Sequence, residues 1–346
     1  MSIQVSTLFS IQKMIKKKSW QKAKTGFNFI DLFAGIGGFR IALENHGGEC
    51  VFSSEWDDNS QITYYRNFGE VPRGDITEIH EKNVPKHNVL CAGFPCQAFS
   101  ISGKRKGFDD TRGTLFFDVA RIAKHIQPEV LFLENVKNFA RHDNGKTLQV
   151  VKDTLDEIGY NHFLKILRSS DYGVPQARER IYIIAFRKDL GVKNFKFPSP
   201  SKTIRTVEDI IERKNADEDI YVINRPDIKI TKKNAKATDT RRPLQIGQIN
   251  AGGQGERIYS TKAAGITLSA YGGGAASKTG AYLINGKVRK LTPKECARMQ
   301  GFPEDFELPE NRNVAYKQFG DSVSVPVLKS IFKQIVKAYP ALTKKQ

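Results

Sequence analysis

Short apolar segments alternate with segments of helical periodicity along the first half of the chain, which predicts strands separated by helices. The predicted strands are residues 27–33, 50–54, 87–93, 130–134 and 180–186, and the predicted helices are residues 39–46, 115–125 and 147–158. Such alternation is typical of a parallel, doubly wound α/β sheet that is covered on both faces. Because these sheets bind ligands at the carboxyl ends of their strands, the residues that follow each strand are the candidates for a site.

The pattern changes after about residue 198. A basic segment, residues 228–242, carries six basic residues and one acid, and a glycine-rich stretch with strand-like fragments at 257–260 and 266–270 follows it. Helical patterning returns at the Thr292 capping box, and residues 324–338 predict the last helix. We therefore predict four parts: a basic extension (1–26), a first domain (27–205), a smaller domain (206–292) and a C-terminal segment that returns to the first domain (293–346). We expect the extension, with six lysines and no acid, to be a solvated or frayed arm; the alternative is an arm that contacts phosphates.

Composition narrows the class of partner. The 55 lysines and arginines outnumber the 37 aspartates and glutamates, and the net charge of +18 indicates a polyanion, which is nucleic acid more often than a membrane. No apolar run approaches the roughly 20 residues that span a bilayer. The four cysteines and six histidines show no ligand-like spacing, so we expect no metal. The N-terminal lysines follow an apolar stretch rather than precede it, unlike those of a signal peptide, and we predict a cytoplasmic protein.

The first candidate site is a glycine turn after the first strand, from Asp31 to Phe39. Its sixth position is Arg40 rather than glycine, so the turn is not the dinucleotide fingerprint. Glu55 and Trp56 end the second strand, where an acid can bind ribose hydroxyls and an indole can stack on adenine. Asp75 is expected to follow a third strand and to accept a hydrogen bond from an amino group of the ligand. Together these residues indicate a cofactor that contains adenosine but no pyrophosphate.

A second site is the loop after the 87–93 strand, where Pro95 precedes Cys96. Most free cysteines are buried and inert. Cys96 lies instead on a loop shaped by glycine and proline, where a lowered pKa would make its thiolate a nucleophile.

The third and fourth sites supply charged groups. Glu134 closes a buried apolar strand and therefore needs a partner. Arg178 and Arg180 precede and begin the next strand, and the period of two places them on the same side of the sheet. They form either a solvated pair or a clamp for a carbonyl or phosphate.

In order and spacing, six segments resemble the motifs of the DNA cytosine-5 methyltransferases. These segments are residues 31–40, 93–100, 134–136, 176–180, 289–301 and 318–323. The resemblance implies a Rossmann-like sheet of the S-adenosylmethionine-dependent methyltransferases, carried by the catalytic and cofactor-binding domain at 27–205. It also implies that the smaller domain at 206–292 is a target-recognition domain. Residues 252–260 and 266–274 are similar to the recognition segments of a GCGC-modifying member, which implies that target.

The resemblance implies covalent catalysis on duplex DNA. Cys96 would add to C6 of a cytosine flipped out of the helix, Glu134 would contact N3 and the exocyclic amine, and Arg178 would hold O2, with Arg180 beside them. The methyl group would come from S-adenosylmethionine. The implied cofactor contacts are Phe33, Gly35, Ile36, Glu55, Trp56, Asp75, Ile76, Pro95, Leu115 and Ser322; the implied DNA contacts are Ser102, Gln254, Arg257 and Tyr271.

The chain departs from the family pattern at Asp321, where asparagine is usual, and at Ala177, where a basic residue is usual. The main alternative is a sequence-specific DNA-binding protein with a decayed site, although Cys96, Glu134 and Arg178 are all present. The missing third glycine disfavours a nicotinamide oxidoreductase, and the glycine-rich smaller domain disfavours an RNA methyltransferase. We expect a monomer acting on double-stranded DNA, with any cognate restriction endonuclease outside a stable complex.

Overall fold

The computed structural model describes residues 18–24, 26–95, 115–212, 218–232 and 235–344. In this part of the chain six strands form one sheet in the order β2-β1-β3-β4-β6-β5. The strands are β1 (Asn28–Leu32), β2 (Glu49–Ser54), β3 (Val89–Gly93), β4 (Val130–Val136), β5 (Tyr160–Arg168) and β6 (Glu179–Arg187). The first four are parallel, whereas β6 runs antiparallel to both its neighbours. The chain between β5 and β6 is a short connection, which an antiparallel pair permits because it needs no crossover helix.

Seven α-helices accompany the strands in the described residues. They are α1 (Gly38–Glu44), α2 (Asp58–Phe68), α3 (Leu115–Ile126), α4 (Lys146–Glu157), α5 (Pro293–Gln300), α6 (Arg312–Asp321) and α7 (Val325–Ala338). One apolar core joins α1 and α7 to one face of the sheet, and a second core joins α3 and α4 to the other face. The expected doubly covered α/β sheet is thus confirmed. The C-terminal helix α7 packs against the first sheet; Phe332 stacks on Phe27 with ring centroids 5.2 Å apart.

A second sheet of five short strands has the order β11-β10-β9-β8-β7. Its strands are β7 (Ile228–Ile230), β8 (Gln245–Ile249), β9 (Arg257–Ser260), β10 (Ala281–Ile284) and β11 (Lys287–Arg289). They enclose a small core of their own around Ile246, Ile249 and Ile258. All five strands fall between residues 206 and 292, the bounds predicted for the smaller domain.

The strand-like fragment at 266–270 is not a strand. It begins beside an isolated bridge between Gln176 and Gly265 and then binds the segment before β6 through side chains. Leu268 N donates to Gln176 Oε1 at 3.0 Å, and Thr267 Oγ1 donates to the Ala177 carbonyl at 3.2 Å. These hydrogen bonds, which involve side chains, pair polar groups of the segment and replace the backbone hydrogen bonds of a β-sheet.

The expectation of a solvated N-terminal arm is wrong at Trp20, whereas Ser19 and residues 22–24 are exposed; residues 1–17 and 25 of the predicted arm lie outside the described residues. Trp20 is only 1% exposed, and its indole packs against Phe68 of the first domain and Phe306 of the C-terminal segment. The pattern of lysines concealed this contact, because one large apolar residue is enough to fix a short segment. In the described residues, no helix is long and apolar enough to cross a membrane.

Candidate active site

A glycine turn joins β1 to α1 and forms one wall of a large cavity. Phe33, Gly35 and Gly37 have φ angles of 56°, 55° and 84°, and glycine adopts this left-handed backbone at little cost. Gly37 also allows a close approach, since a Cβ atom there would lie 2.2 Å from the Phe68 ring. Behind the turn, burial raises the pKa of Asp31 well above its usual range, and Arg40 opposes that rise. Because Gly35 has no side chain and lines the cavity, a ligand can approach the backbone of the turn closely.

Glu55 follows β2 and holds this turn in place. Its Oε2 accepts a 2.7 Å hydrogen bond from Gly35 N, and its Oε1 accepts one of 2.8 Å from Asp57 N. Burial raises the pKa of Glu55, and these backbone donors lower it. Each carboxylate oxygen keeps capacity to accept from a ligand hydroxyl. The neighbouring Trp56 is 71% exposed, so its ring offers a flat apolar face at the same point.

Asp75 does not follow a third strand as expected. In the described residues the chain before it makes only an isolated bridge, between Arg73 and Ser54. Asp75 instead caps a short 3₁₀ helix, and its Oδ1 accepts from Thr77 N at 2.9 Å. Its exposed carboxyl still lies at the cavity.

Glu134 lies inside β4 and is 7% exposed. Burial raises the pKa of its carboxyl, and the charges of Arg180 and then Arg178 oppose that rise. Its Oε1 is 3.2 Å from Arg180 Nε. The next residue, Asn135, donates to the Phe94 carbonyl at 3.0 Å and so ties β4 to the chain just before Cys96.

Arg178 has partners that differ from those of Arg180. Its Nη1 donates to the carbonyls of Gly320 at 3.1 Å and Leu268 at 3.3 Å, and its Nη2 donates to the Ser322 carbonyl at 2.6 Å. Burial lowers the pKa of Arg178 to about 9, which leaves the guanidinium charged at neutral pH. Arg178 therefore joins the segment before β6 to the smaller domain and to the end of α6.

One cavity of about 770 Å³ brings these groups together. It is lined by all of the predicted cofactor contacts: Phe33, Gly35, Ile36, Glu55, Trp56, Asp75, Ile76, Pro95, Leu115 and Ser322. Glu134, Arg178 and Arg180 line it as well. Cys96 and Ser102 lie outside the described residues, but Pro95, which precedes Cys96, contributes to the wall.

Sequence reasoning missed a charged group at the mouth of the cavity. Lys317 on α6 donates to Asp57 Oδ2 at 3.0 Å and lies 4.0 Å from the Asp321 carboxylate. Burial raises the pKa of Asp321, and Lys317 opposes that rise. The spacing of Lys317 and Asp321, one helical turn apart, was the available signal. The unusual aspartate therefore has a local counter-ion.

Three of the predicted DNA contacts lie on or beside two glycine-rich loops of the smaller domain. Gln254 is exposed on the first loop, and Arg257 is exposed at the start of β9, which follows that loop. Tyr271, 72% exposed on the second loop, lines the cavity. A Cβ atom on Gly255 would lie 2.2 Å from the Gly273 carbonyl oxygen. The glycines thus allow the backbones of the two loops to pack directly against each other. This packing brings the loop that carries Gln254 close to the loop that carries Tyr271.

Comparisons with known proteins agree with this geometry. Residues 27–337 match the family described as C-5 cytosine-specific DNA methylase. The chain is 56% identical over 310 residues to the Type II methyltransferase M.HhaI of Haemophilus parahaemolyticus, a match that covers 90% of this chain and 94% of the relative. It is 44% identical over 328 residues to the Type II methyltransferase M.HpaII of Haemophilus parainfluenzae, covering 90% and 89%.

The fold is also that of known structures. The crystal structure of a DNMT2 mutant from Spodoptera frugiperda is similar with a TM-score of 0.67 at 22% identity, covering 90% of this chain and 99% of that one. At this identity the likeness supports the fold alone.

Proposed function

The chain belongs to the C-5 cytosine-specific DNA methylases, of the Type II restriction-modification kind, and from this premise we propose how it works. It transfers a methyl group from S-adenosylmethionine to C5 of a cytosine that has been flipped out of duplex DNA. The target is GCGC. The protein acts as a monomer and forms no stable complex with a cognate endonuclease.

The observation that carries the proposal is the continuity of the cavity. Glu55 and Trp56 line it together with Glu134 and Arg180, so a cofactor and a base can meet within one enclosure. A transferase needs this arrangement, because a methyl group moves directly between two bound molecules.

The residues present fit S-adenosylmethionine. Trp56 offers a face for a purine, and Glu55 is held by two backbone donors in a position to accept from ribose hydroxyls. Two acidic groups in the cavity, Asp57 and Asp321, share the single ammonium of Lys317, and their excess negative charge suits a cofactor that carries positive charge on sulfur and nitrogen. When bound, S-adenosylmethionine supplies the electrophilic methyl group.

The protein residues activate the cytosine. The Cys96 thiolate adds to C6, and the electron pair of the C5–C6 double bond becomes available at C5. Glu134 then stabilises the ring through N3 and the exocyclic amine. Burial raises the pKa of Glu134 and Arg180 opposes that rise, so this carboxyl binds a proton more readily than an exposed one and can then donate it to N3. After C5 has gained the methyl group, loss of the C5 proton and elimination release Cys96.

The geometry changes which arginine we assign to the cytosine O2. The Nη atoms of Arg178 donate to three backbone carbonyls, whereas within the described residues Arg180 Nη2 makes no hydrogen bond. We therefore place Arg180 against O2. Arg178 supports it from behind by fixing the loop at Leu268 and the end of α6.

The burial of Glu134 supports base flipping. Glu134 lines the cavity and is 7% exposed, and a cytosine stacked within a duplex would not reach a group so buried. We place Ser102 and Gln254 in the space that the base leaves. Arg257 would read a guanine through O6 and N7 in the major groove, with Tyr271 beside it. The GCGC target rests on the likeness of these two loops to those of a GCGC-modifying enzyme.

Trapping the covalent adduct tests the chemistry. A duplex with 5-fluorocytosine in GCGC is incubated with the protein and S-adenosylmethionine and then run on a denaturing gel. Fluorine cannot leave C5 as a proton does, so a shifted band should persist for wild type and for the Cys50→Ala control, and vanish for Cys96→Ala. An adduct in Cys96→Ala, or none in an active wild type, would contradict the mechanism.

The same preparation separates the proposal from a DNA-binding protein with a decayed site. Such a protein would shift the duplex on a native gel yet incorporate no labelled methyl group. Bisulfite sequencing of a methylated plasmid tests the target separately, since modified cytosines outside GCGC would refute that part alone.

A further inference from the structure

The segment from Lys18 to Lys24, here called the N-terminal anchor, precedes the residues that match the family. Its Trp20 is nevertheless 1% exposed. The indole meets Phe68 edge-on, with ring centroids 5.8 Å apart, and Phe306 at 6.4 Å. The anchor is therefore packed into the first domain.

Hydrogen bonds fix the anchor to the end of α1. Trp20 Nε1 donates to Glu44 Oε2 at 3.1 Å, and Lys22 N donates to the Glu44 carbonyl at 3.2 Å. Asn45 Nδ2 donates back to the Trp20 carbonyl at 3.4 Å. Because Glu44 is itself buried, the indole N–H satisfies an acceptor that water does not reach.

The other end of the anchor binds the loop after α5. Ser19 donates to Asp305 through its backbone nitrogen at 2.8 Å and its hydroxyl at 2.7 Å. Lys18 Nζ lies 3.0 Å from Glu307 Oε1. The anchor thus spans from α1 to the C-terminal segment.

Two paths connect the anchor to the glycine turn at the cavity. The first runs through Phe68, whose ring packs against Trp20 and occupies the space that a Cβ atom on Gly37 would need. The second runs through Glu44, which accepts from Arg40 Nε at 2.7 Å; the Arg40 guanidinium also lies 4.6 Å from the Phe68 ring centroid. Both paths end on the first turn of α1, directly behind the residues that line the cavity.

We propose that Trp20 is a positioning residue for cofactor binding. It keeps Phe68 and Glu44 in place, and these in turn hold the turn from Gly35 to Gly38 in the shape that receives the cofactor. The inference rests on the proposed use of S-adenosylmethionine. Trp20 is not among the described residues that line the cavity, so we assign it no contact with substrate.

The chain provides its own reporter for a test. It has two tryptophans, and the other is Trp56, 71% exposed in the cofactor cavity. Trp20→Phe and Trp20→Ala therefore leave Trp56 as the single tryptophan. Its fluorescence, excited at a wavelength that tyrosine does not absorb, is followed during titration with S-adenosylmethionine and gives a dissociation constant. Lys24→Ala, which removes an exposed contact with Glu49 in the same segment, is the matched control.

For Trp20→Ala we expect the dissociation constant and KM for S-adenosylmethionine to rise about tenfold, which is within the range for coupling through packed side chains. The kcat at saturating cofactor and the affinity for DNA should stay near wild type. Trp20→Phe keeps the ring packing and loses the bond to Glu44, so it should recover part of the affinity. Lys24→Ala should bind like wild type.

An unchanged affinity for S-adenosylmethionine in Trp20→Ala would overturn the inference, as would a parallel loss of cofactor and DNA binding. If Trp20→Ala does not fold, Trp20→Phe and Ser19→Ala test the inference instead. Wild-type affinity for S-adenosylmethionine in both variants would overturn the inference. Failure of the wild-type protein to bind S-adenosylmethionine would instead refute the proposed function.

Discussion

Substitution of Arg178 by alanine should destabilise the fold far more than substitution of Arg180, although the two residues are neighbours on one side of the sheet. Arg178→Ala removes three hydrogen bonds, to the carbonyls of Leu268, Gly320 and Ser322. Arg180→Ala removes one hydrogen bond, to the carbonyl of the adjacent Glu179, and the contact with Glu134, whose carboxyl can become neutral by binding a proton.

The magnitudes follow from these partners. A hydrogen bond from a charged donor contributes about 1.5–3 kcal/mol. The 3.3 Å bond to Leu268 is the weakest of the three, and water that enters the site recovers part of the loss. We expect Arg178→Ala to lower the free energy of unfolding by about 3–5 kcal/mol. Arg180→Ala should lower it by about 1 kcal/mol.

The order reverses for catalysis. If Arg180 holds O2 of the cytosine, its loss removes a donor aimed at developing charge, which lowers kcat by about 10²–10³-fold. Arg178→Lys offers one ammonium in place of a fork, so it should recover only part of the stability.

Urea unfolding followed by circular dichroism measures the stabilities, and transfer of labelled methyl groups at saturating substrates measures kcat. Arg66→Ala, which removes an exposed ion pair with Glu310, serves as the control. The reasoning is refuted if Arg178→Ala unfolds within about 1 kcal/mol of wild type and loses kcat while Arg180→Ala retains it. That result would restore Arg178 as the contact to O2.

Three further predictions concern single positions. Burial raises the pKa of Asp31 in the folded protein, so the unfolded chain loses this proton at a lower pH than the folded protein does. The wild-type protein should therefore lose stability as pH rises from about 3.9 toward the raised pKa of the folded state. Urea unfolding at several pH values should show that the stability of Asp31→Asn increases relative to that of wild type as pH rises. A difference in unfolding free energy that does not change with pH would contradict this. Gly320→Ala places a Cβ atom 2.1 Å from the backbone nitrogen of Ala270 and should cost about 1–3 kcal/mol in urea unfolding. Gly273→Ala places a Cβ atom more than 4 Å from every heavy atom of the described residues outside its two chain neighbours and should be nearly neutral; equal losses for the two variants would remove the steric argument. Trp56→Ala should weaken the binding of S-adenosylmethionine about tenfold, as measured by equilibrium dialysis, since a stacking contact contributes about 1–3 kcal/mol. Unchanged affinity would exclude that contact.

The sequence pattern was sufficient for elements with a strongly apolar face. The predicted strands and helices of the first sheet lie within a few residues of the observed ones. The strand β5 was missed because it is an edge strand, whose mixed side chains, such as His162 and Lys165, hide the alternation. The helix α2 was missed because its buried face includes polar residues, Thr63 and Asn67 among them. Polar residues at buried positions carry no hydrophobic signal.

Most of the cavity could be predicted because its residues follow strand ends, which the topology brings to one edge of the sheet. The roles of Arg178 and Trp20 could not be predicted in the same way. Arg178 binds carbonyls 90 to 144 positions away, and Trp20 packs against Phe306 near the other end of the chain. Backbone carbonyls have no sequence signature, so a side chain that binds them looks the same in the sequence as one that binds a substrate.

The net charge of +18 has more than one use in this structure. In the basic segment at 228–242, Arg241 donates to the Ser201 carbonyl at 3.0 Å and lies 3.4 Å from Asp171, so it joins the smaller domain to the first. Lys229 lies on β7, an edge strand, where a lysine discourages pairing with another chain. Lys232 and Lys236 are exposed and remain the better candidates for phosphate contacts. A count of basic residues therefore overstates the charge that meets DNA, because part of it holds the two domains together and part protects an edge.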